Sequence, residues 1–220
     1  MFRGRATGRR STNSARPPRR AAISSETGGA GTRRPRRFDT LRIIGSSDYA
    51  VSEGGGDYTV HGVAGVDPDD NLFVLDWWRD QTASDVWVET LLDLMQRWRP
   101  VEWAEEKGQI EKSVGPFIDV RMRARQVYCH REQFASSTDK PTRAQAFRAR
   151  MAMGKVFWPR QVPWVDDVYR VLMTFPAGAV DDDVDVCSLF GRMLAPVQVF
   201  DQAAVQRILS DEVKPFFGAT

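Results

Sequence analysis

Three strand-like segments follow one another where the chain first turns apolar, and they leave few architectures open. Leu41–Ala50, Tyr58–Val66 and Asn71–Trp77 are each rich in β-branched or aromatic residues, and each ends in Gly, Asp or Pro punctuation. Asp67-Pro68-Asp69-Asp70-Asn71 joins the second to the third, with Pro presetting φ and the Asx residues closing the backbone. The spacing predicts an antiparallel meander. Ser52-Glu53-Gly54-Gly55-Gly56-Asp57, between the first two strands, is not a phosphate loop, because no Gly-Lys-Ser/Thr follows and the next element is a strand. Asp48 interrupts the first strand beside Ile43, Ile44, Tyr49 and Val51, where a carboxylate is costly to bury without a cation or hydrogen bonds. On this stretch alone, a turn aspartate at a strand end explains it equally well.

Helix signals begin at Thr82-Ala83-Ser84-Asp85 and end at Pro100, with Val88, Leu91, Leu92 and Met95 on one face. Val101–Glu105 reads as a fourth strand. Gln109–Gln126 reads as a helix kinked or restarted at Gly115-Pro116, and Val127–Glu132 as a fifth strand. Thr142–Met153, Trp164–Thr174 and a final acidic helix from Asp181 through Leu189 and Met193 follow. Three strands, helix, strand, helix, strand is the order of an RNase H-like α/β domain: a mixed sheet, three strands antiparallel and then parallel additions, flanked by helices. Core packing is the default role of the seven tryptophans, with base stacking an option at Trp158.

Charge divides the chain. Of 31 basic and 29 acidic residues, eleven arginines and Glu26 lie in residues 1–37, leaving 20 basic and 28 acidic. Residues 1–38, Arg-, Ser-, Gly- and Pro-rich, bury too little to offset ordering entropy and are expected to be a disordered tail. A transit peptide, a nucleic-acid-binding tail and sequence preceding the true domain start all fit that composition. The domain itself is expected over 39–196, with 197–220 an extension. Because the domain is acidic, nucleic-acid binding must rest on a local site or on the tail. No apolar run is long enough to span a membrane, and Cys129 and Cys187 have no metal-binding spacing, so a cytoplasmic protein with reduced thiols and no membrane partner is expected.

Three acidic points recur: Asp48, Glu105/Glu106 and the Asp181–Asp185 run. Each alone is weak, since a charge run at a helix start is ordinarily a solvated, dipole-favoured terminus. In the expected sheet, however, the first and fourth strands are neighbours, and a late helix can lay its acids across their ends. Converging carboxylates raise one another's pKa and require cations. An all-oxygen set without His or Cys favours two Mg²⁺ or Mn²⁺ ions, and two ions ~3.5–4 Å apart suit phosphodiester hydrolysis.

Residues ~40–195 also resemble the carboxy-terminal nuclease domain of the large terminase subunit of tailed bacteriophages. The resemblance is carried by Ser47-Asp48-Tyr49-Ala50, Gly56-Asp57-Tyr58-Thr59, Trp103-Ala104-Glu105-Glu106-Lys107-Gly108-Gln109 and Asp139-Lys140-Pro141-Thr142-Arg143-Ala144. It continues through Gly154-Lys155-Val156, Phe175-Pro176-Ala177-Gly178 and Asp181-Asp182-Asp183-Val184-Asp185. It implies metal-dependent cleavage of double-stranded concatemeric DNA during packaging, in the bacterial host cell of a phage or prophage. It implies Asp48, Glu105 and Asp182 as catalytic acids, and Asp48, Glu105 or Glu106, Asp181, Asp182 and Asp185 as metal ligands. Lys140 and Arg143 are candidates for DNA phosphates. The small terminase subunit, the portal and a separate ATPase subunit would be partners, because the 220 residues contain no Walker A loop and ATPase activity is not expected of them. Another RNase H-like nuclease or recombinase, and a non-catalytic prophage remnant that binds DNA or terminase partners, are the alternatives. Between Glu105 and Glu106, the shorter reading of the fourth strand favours Glu105, the last residue a strand ending there would hold rigidly.

Overall fold

The computed structural model describes residues 38–50, 58–135, 138–178 and 181–195. Arg42–Asp48 (β1), Thr59–Val66 (β2) and Leu72–Asp80 (β3) form the expected antiparallel meander, and the Asp67–Asn71 turn closes as its sequence requires, with Asp67 Oδ1 accepting from the Asn71 N–H at 2.8 Å. Helix α1 (Ser84–Trp98) crosses to β4 (Glu102–Lys107), which lies parallel to β1. Helix α2 (Gln109–Arg125) then crosses to β5 (His130–Ala135), parallel to β4. After Lys140–Arg143 (α3) and Gln145–Ala152 (α4), a two-residue strand, Val156–Phe157 (β6), pairs in parallel with β3, and Pro163–Thr174 (α5) and Asp182–Met193 (α6) complete the chain. The sheet order β5-β4-β1-β2-β3-β6 is that of an RNase H-like mixed sheet.

Helices cover both faces. Every residue of β2 is buried, as in a central strand with no solvent side. On one face Trp87, Leu91, Leu92 and Met95 of α1 pack with Val63, Trp103 and Ile118; on the other Ile44, Val60, Ala64 and Trp77 meet Phe147, Val168, Val186 and Phe190. Trp158 belongs to this second core and is buried, so it has no face to offer a base. Cys129 and Cys187 are free thiols, Cys187 buried; burial pushes Cys129 up to about 12 and Cys187 well above its ordinary value, which keeps both protonated.

Several boundaries differ from the sequence reading. Helix α2 runs through Pro116 without interruption. The segment expected as one helix from Thr142 begins at Lys140 and divides at Ala144, and β6 was not anticipated, since two apolar residues carry no readable period. Strand β4 extends to Lys107 and β5 starts at His130 rather than Val127. Residues 1–37, the Gly-rich 52–57 and the expected extension 197–220 lie outside the described residues. Among the described residues, no helix is long and apolar enough to cross a membrane.

One close approach fixes how β1 and β4 meet. Gly45 pairs with Trp103, whose indole lies where a Cβ on Gly45 would stand, and Trp103 Nε1 donates to Ser47 Oγ at 2.8 Å. Gly45→Ala should therefore lower stability by about 3 kcal/mol. The expected readout is a lower urea midpoint at unchanged denaturant slope; an unchanged midpoint would mean that the indole can slide aside.

Candidate active site

The alternation of side chains along β1 decides which residues can meet. Ser46 Oγ donates to the Val186 carbonyl of α6 at 3.0 Å, so Ser46 and, two residues on, Asp48 face α6. Ser47 faces α1, with its Oγ against Trp103 Nε1 and His61 Nδ1, each at 2.8 Å. Burial lowers His61 to about 3, so it is a neutral packing group that donates from Nε2 to the Trp87 carbonyl. Because Ser47 pairs with Glu105 and Ser46 with Ala104, Glu105 shares the α1 face, and Glu106 shares the α6 face with Asp48.

Asp48, the last residue of β1, carries the clearest electrostatic signature. Its carboxyl is raised well above the usual range, first by burial and then by the charges of Asp185, Asp182 and Glu106, with Lys140 pulling the other way. The charges that act on Asp48 at the end of β1 thus come from β4 and from the first turn of α6. Asp182 opens α6 and accepts from the Tyr58 N–H at 3.4 Å; Asp185, one turn on, is buried and raised chiefly by that burial, against Lys140 and Arg143. Glu106 is partly exposed.

Cations sit among these acids. Lys140 Nζ lies 2.7 Å from both Asp181 Oδ1 and Asp185 Oδ2, and Arg143 Nη1 lies 2.6 Å from Glu106 Oε1, with Nη2 3.3 Å from Asp185 Oδ1. Although burial opposes its charge, Lys140 is held above the ordinary lysine range by Asp181 and Asp185. The expected Lys140 and Arg143 are therefore at the site, bound to acids. Asp181 meets Lys140 and is not among the charges that raise Asp48.

Glu105 is elsewhere. It is fully buried on the α1 face, paired through both oxygens with Arg131 Nε and Nη2 at 2.7 Å each, and accepts the Tyr49 hydroxyl at 2.7 Å. Arg131 keeps its proton through that pairing, against the effect of its own burial. The expectation that Glu105 stands with Asp48 is corrected by strand parity, and β4 extends past Glu106 to Lys107, so Glu106 is held by the ladder too. Arg131, one residue from the end of the segment read as β5, was the missed signal: a buried Glu needs a cation, and the neighbouring strand supplies it.

Among the described residues, no three His, Cys, Asp or Glu side chains stand close enough together to hold a metal ion. The donor set nonetheless fits a hard divalent cation in kind. It is all carboxylate, Asp48 is destabilised as an anion by its burial and then by its neighbours' charges, and buried Asp185 Oδ1 has the 3.3 Å ion pair with Arg143 but no hydrogen bond. The fit requires Lys140 to release Asp185.

No family model and no curated protein matches the chain. Solved structures do. The large terminase nuclease from thermophilic phage G20c, with bound cobalt, superposes with a TM-score of 0.53 at 16% identity, covering 70% of this chain and 82% of that one. The same nuclease with bound zinc gives 0.51 at 18% identity, over 69% and 80%. A large terminase from another thermophilic bacteriophage, in complex with ATP-γ-S, gives 0.50 at 12% identity over 72% of this chain and 41% of that one. At these identities, what is shared is the fold.

Proposed function

We propose that the chain is a divalent-metal-dependent DNA endonuclease of the terminase type. The observation that carries the reading is that Asp48, at one end of an RNase H-like sheet, is raised first by its burial and then by the charges of Asp185, Asp182 and Glu106. Those four carboxylates would hold the ions, Mg²⁺ or Mn²⁺, and Asp181 would stay with Lys140. Two such ions, when bound, supply activation of water and neutralisation of the departing 3′ oxygen. The protein's own part is positional. The ladder holds Asp48 and Glu106 rigid at adjacent strand ends, and the first turn of α6 holds Asp182 and Asp185 one turn apart on one side. Lys140 and Arg143, once released from the acids, would meet phosphates of double-stranded DNA. Bound cobalt, zinc and magnesium in the phage G20c nuclease support a cation here. A packaging role would add a small subunit, a portal and a separate ATPase in the bacterial cytoplasm.

The same ion pairs favour a second reading, a non-catalytic remnant, since acids saturated by Lys140 and Arg143 need no metal. Supercoiled plasmid, an RNA–DNA hybrid and a four-way junction incubated with Mn²⁺ separate the readings. Nicking and linearisation of plasmid, abolished by EDTA, is the expected result; folded protein that cuts none of the three substrates would leave only the remnant. Millimolar Mn²⁺ should also raise Tm by about 4 °C or more through linkage. No shift would remove the cation from the site.

A further inference from the structure

Beyond Asp182 the fold builds a cavity of about 280 Å³, walled by Tyr58, Trp77, Trp164, Arg79 and Asp183. A bulge creates it. β2 and β3 keep register until Leu75, which has no partner, and Val63 then pairs with Asp76. That extra residue switches the parity of β3, so Trp77 and Arg79 turn to the α6 face on which Leu72 and Val74 lie before it. The Arg79 guanidinium stacks 3.7 Å from the Tyr58 ring centroid, and Trp77 and Trp164 lie within 23° of parallel.

Asp183 is fully buried, and its Oδ1 takes the Trp77 indole N–H at 2.8 Å. Its Oδ2 forms an ion pair with Arg79 Nε at 3.5 Å, and neither of these buried atoms makes a hydrogen bond. Buried polar atoms are hydrogen-bonded as a rule, so an ion pair without a hydrogen bond, held by two residues that line a cavity, is where a ligand carrying a donor beside an acceptor would complete both. We propose that the cavity is a subsite for one unpaired nucleobase of the strand lying over the acids.

This rests on the nuclease reading, and three features favour that occupant. The Tyr58 backbone N–H reaches Asp182 Oδ2 while its ring walls the cavity, and Asp183 follows Asp182 in the chain, so acid site and cavity share one wall. The nucleoside next to a phosphate at the acids is the nearest part of a substrate strand. Aromatic faces and a stacked guanidinium take any base by stacking. The Watson–Crick edge of every base carries a donor beside an acceptor, as Asp183 Oδ2 and Arg79 Nε require, and that edge is free only when the base is unpaired. An aromatic protein side chain offers no such pair.

The test is equilibrium binding with Ca²⁺ and no cleavage, comparing a fully paired duplex with one carrying a single bulged 2-aminopurine. Wild-type protein should prefer the bulged duplex by about tenfold and quench the bulged base by stacking. The preference and the quenching should both fall away in Arg79→Leu, at the cavity rim, and in Trp164→Leu. Thermal melts identify any variant that has not folded, and Arg79 lies outside the core. Equal affinity for the two duplexes, or a preference that survives Arg79→Leu, overturns the subsite. Absence of plasmid cleavage alongside an intact preference would instead overturn only the nuclease reading.

Discussion

Asp48→Asn will abolish Mn²⁺-dependent plasmid cleavage and stabilise the metal-free protein in the same stroke. The two effects have one cause. Asp48 stands where burial and the charges of Asp185, Asp182 and Glu106 all disfavour its anion, and only Lys140 favours it. Removing the charge relieves those neighbours, and about 2–6 °C of added Tm at neutral pH is the expected gain. It also removes a carboxylate that two ions would share, and a loss of at least ~10³-fold in rate, or about 4 kcal/mol, follows if the site works by holding cations.

The stability gain has a defined pH dependence. The folded carboxyl is raised above its unfolded value near ~3.9. The folded state therefore binds the proton more tightly, and wild-type stability from this group is complete below the unfolded pKa and is lost as pH rises through the folded one. Wild type and Asp48→Asn should melt together in acid and separate progressively toward neutral pH, with the variant higher. Added Mn²⁺ should reverse the order, because only the wild type gains from the cation. A variant that cuts plasmid at the wild-type rate would take Asp48 out of the site, and one that melts lower at neutral pH would mean that Lys140 outweighs the repulsion.

The meander, the two crossovers and their order were legible because long apolar runs and their punctuation act locally. What lay beyond the sequence reading was set by pairing across the sheet. β6 consists of two residues whose place is given only by Leu72 and Phe73 opposite. Trp158 looked available for stacking because its segment follows a helix, but that segment turns into the core beside Trp77 and Tyr169. The expectation that strand-end acids face the first turn of α6 rested on fold order. Glu105 against Glu106 did not, because it depends on parity relative to Asp48, and parity is inverted by a single residue of register.

That parity yields an experiment in which two adjacent glutamates behave as opposites. Glu105→Gln replaces a buried carboxylate that binds Arg131 through both oxygens and accepts the Tyr49 hydroxyl. Gln cannot balance the guanidinium, and the remaining partner of Arg131, Asp119 at 2.8 Å, is half exposed. Leaving a buried cation without its counter-charge costs about 3–5 kcal/mol, so Glu105→Gln should unfold at much lower urea while whatever remains folded cleaves at close to the wild-type rate. Glu106→Gln loses one partly exposed pair with Arg143 and should change stability by about 1 kcal/mol or less. It sits, however, on the face of Asp48, and cleavage should fall at least ~10²-fold, because a neutral amide there removes one of the four charges that would hold the cation. Chemical denaturation and plasmid nicking, normalised to folded protein, separate the two. A stable, inactive Glu105→Gln beside an active Glu106→Gln would return the ligand role to Glu105 and would require β4 to pair with β1 one residue out of the register described here.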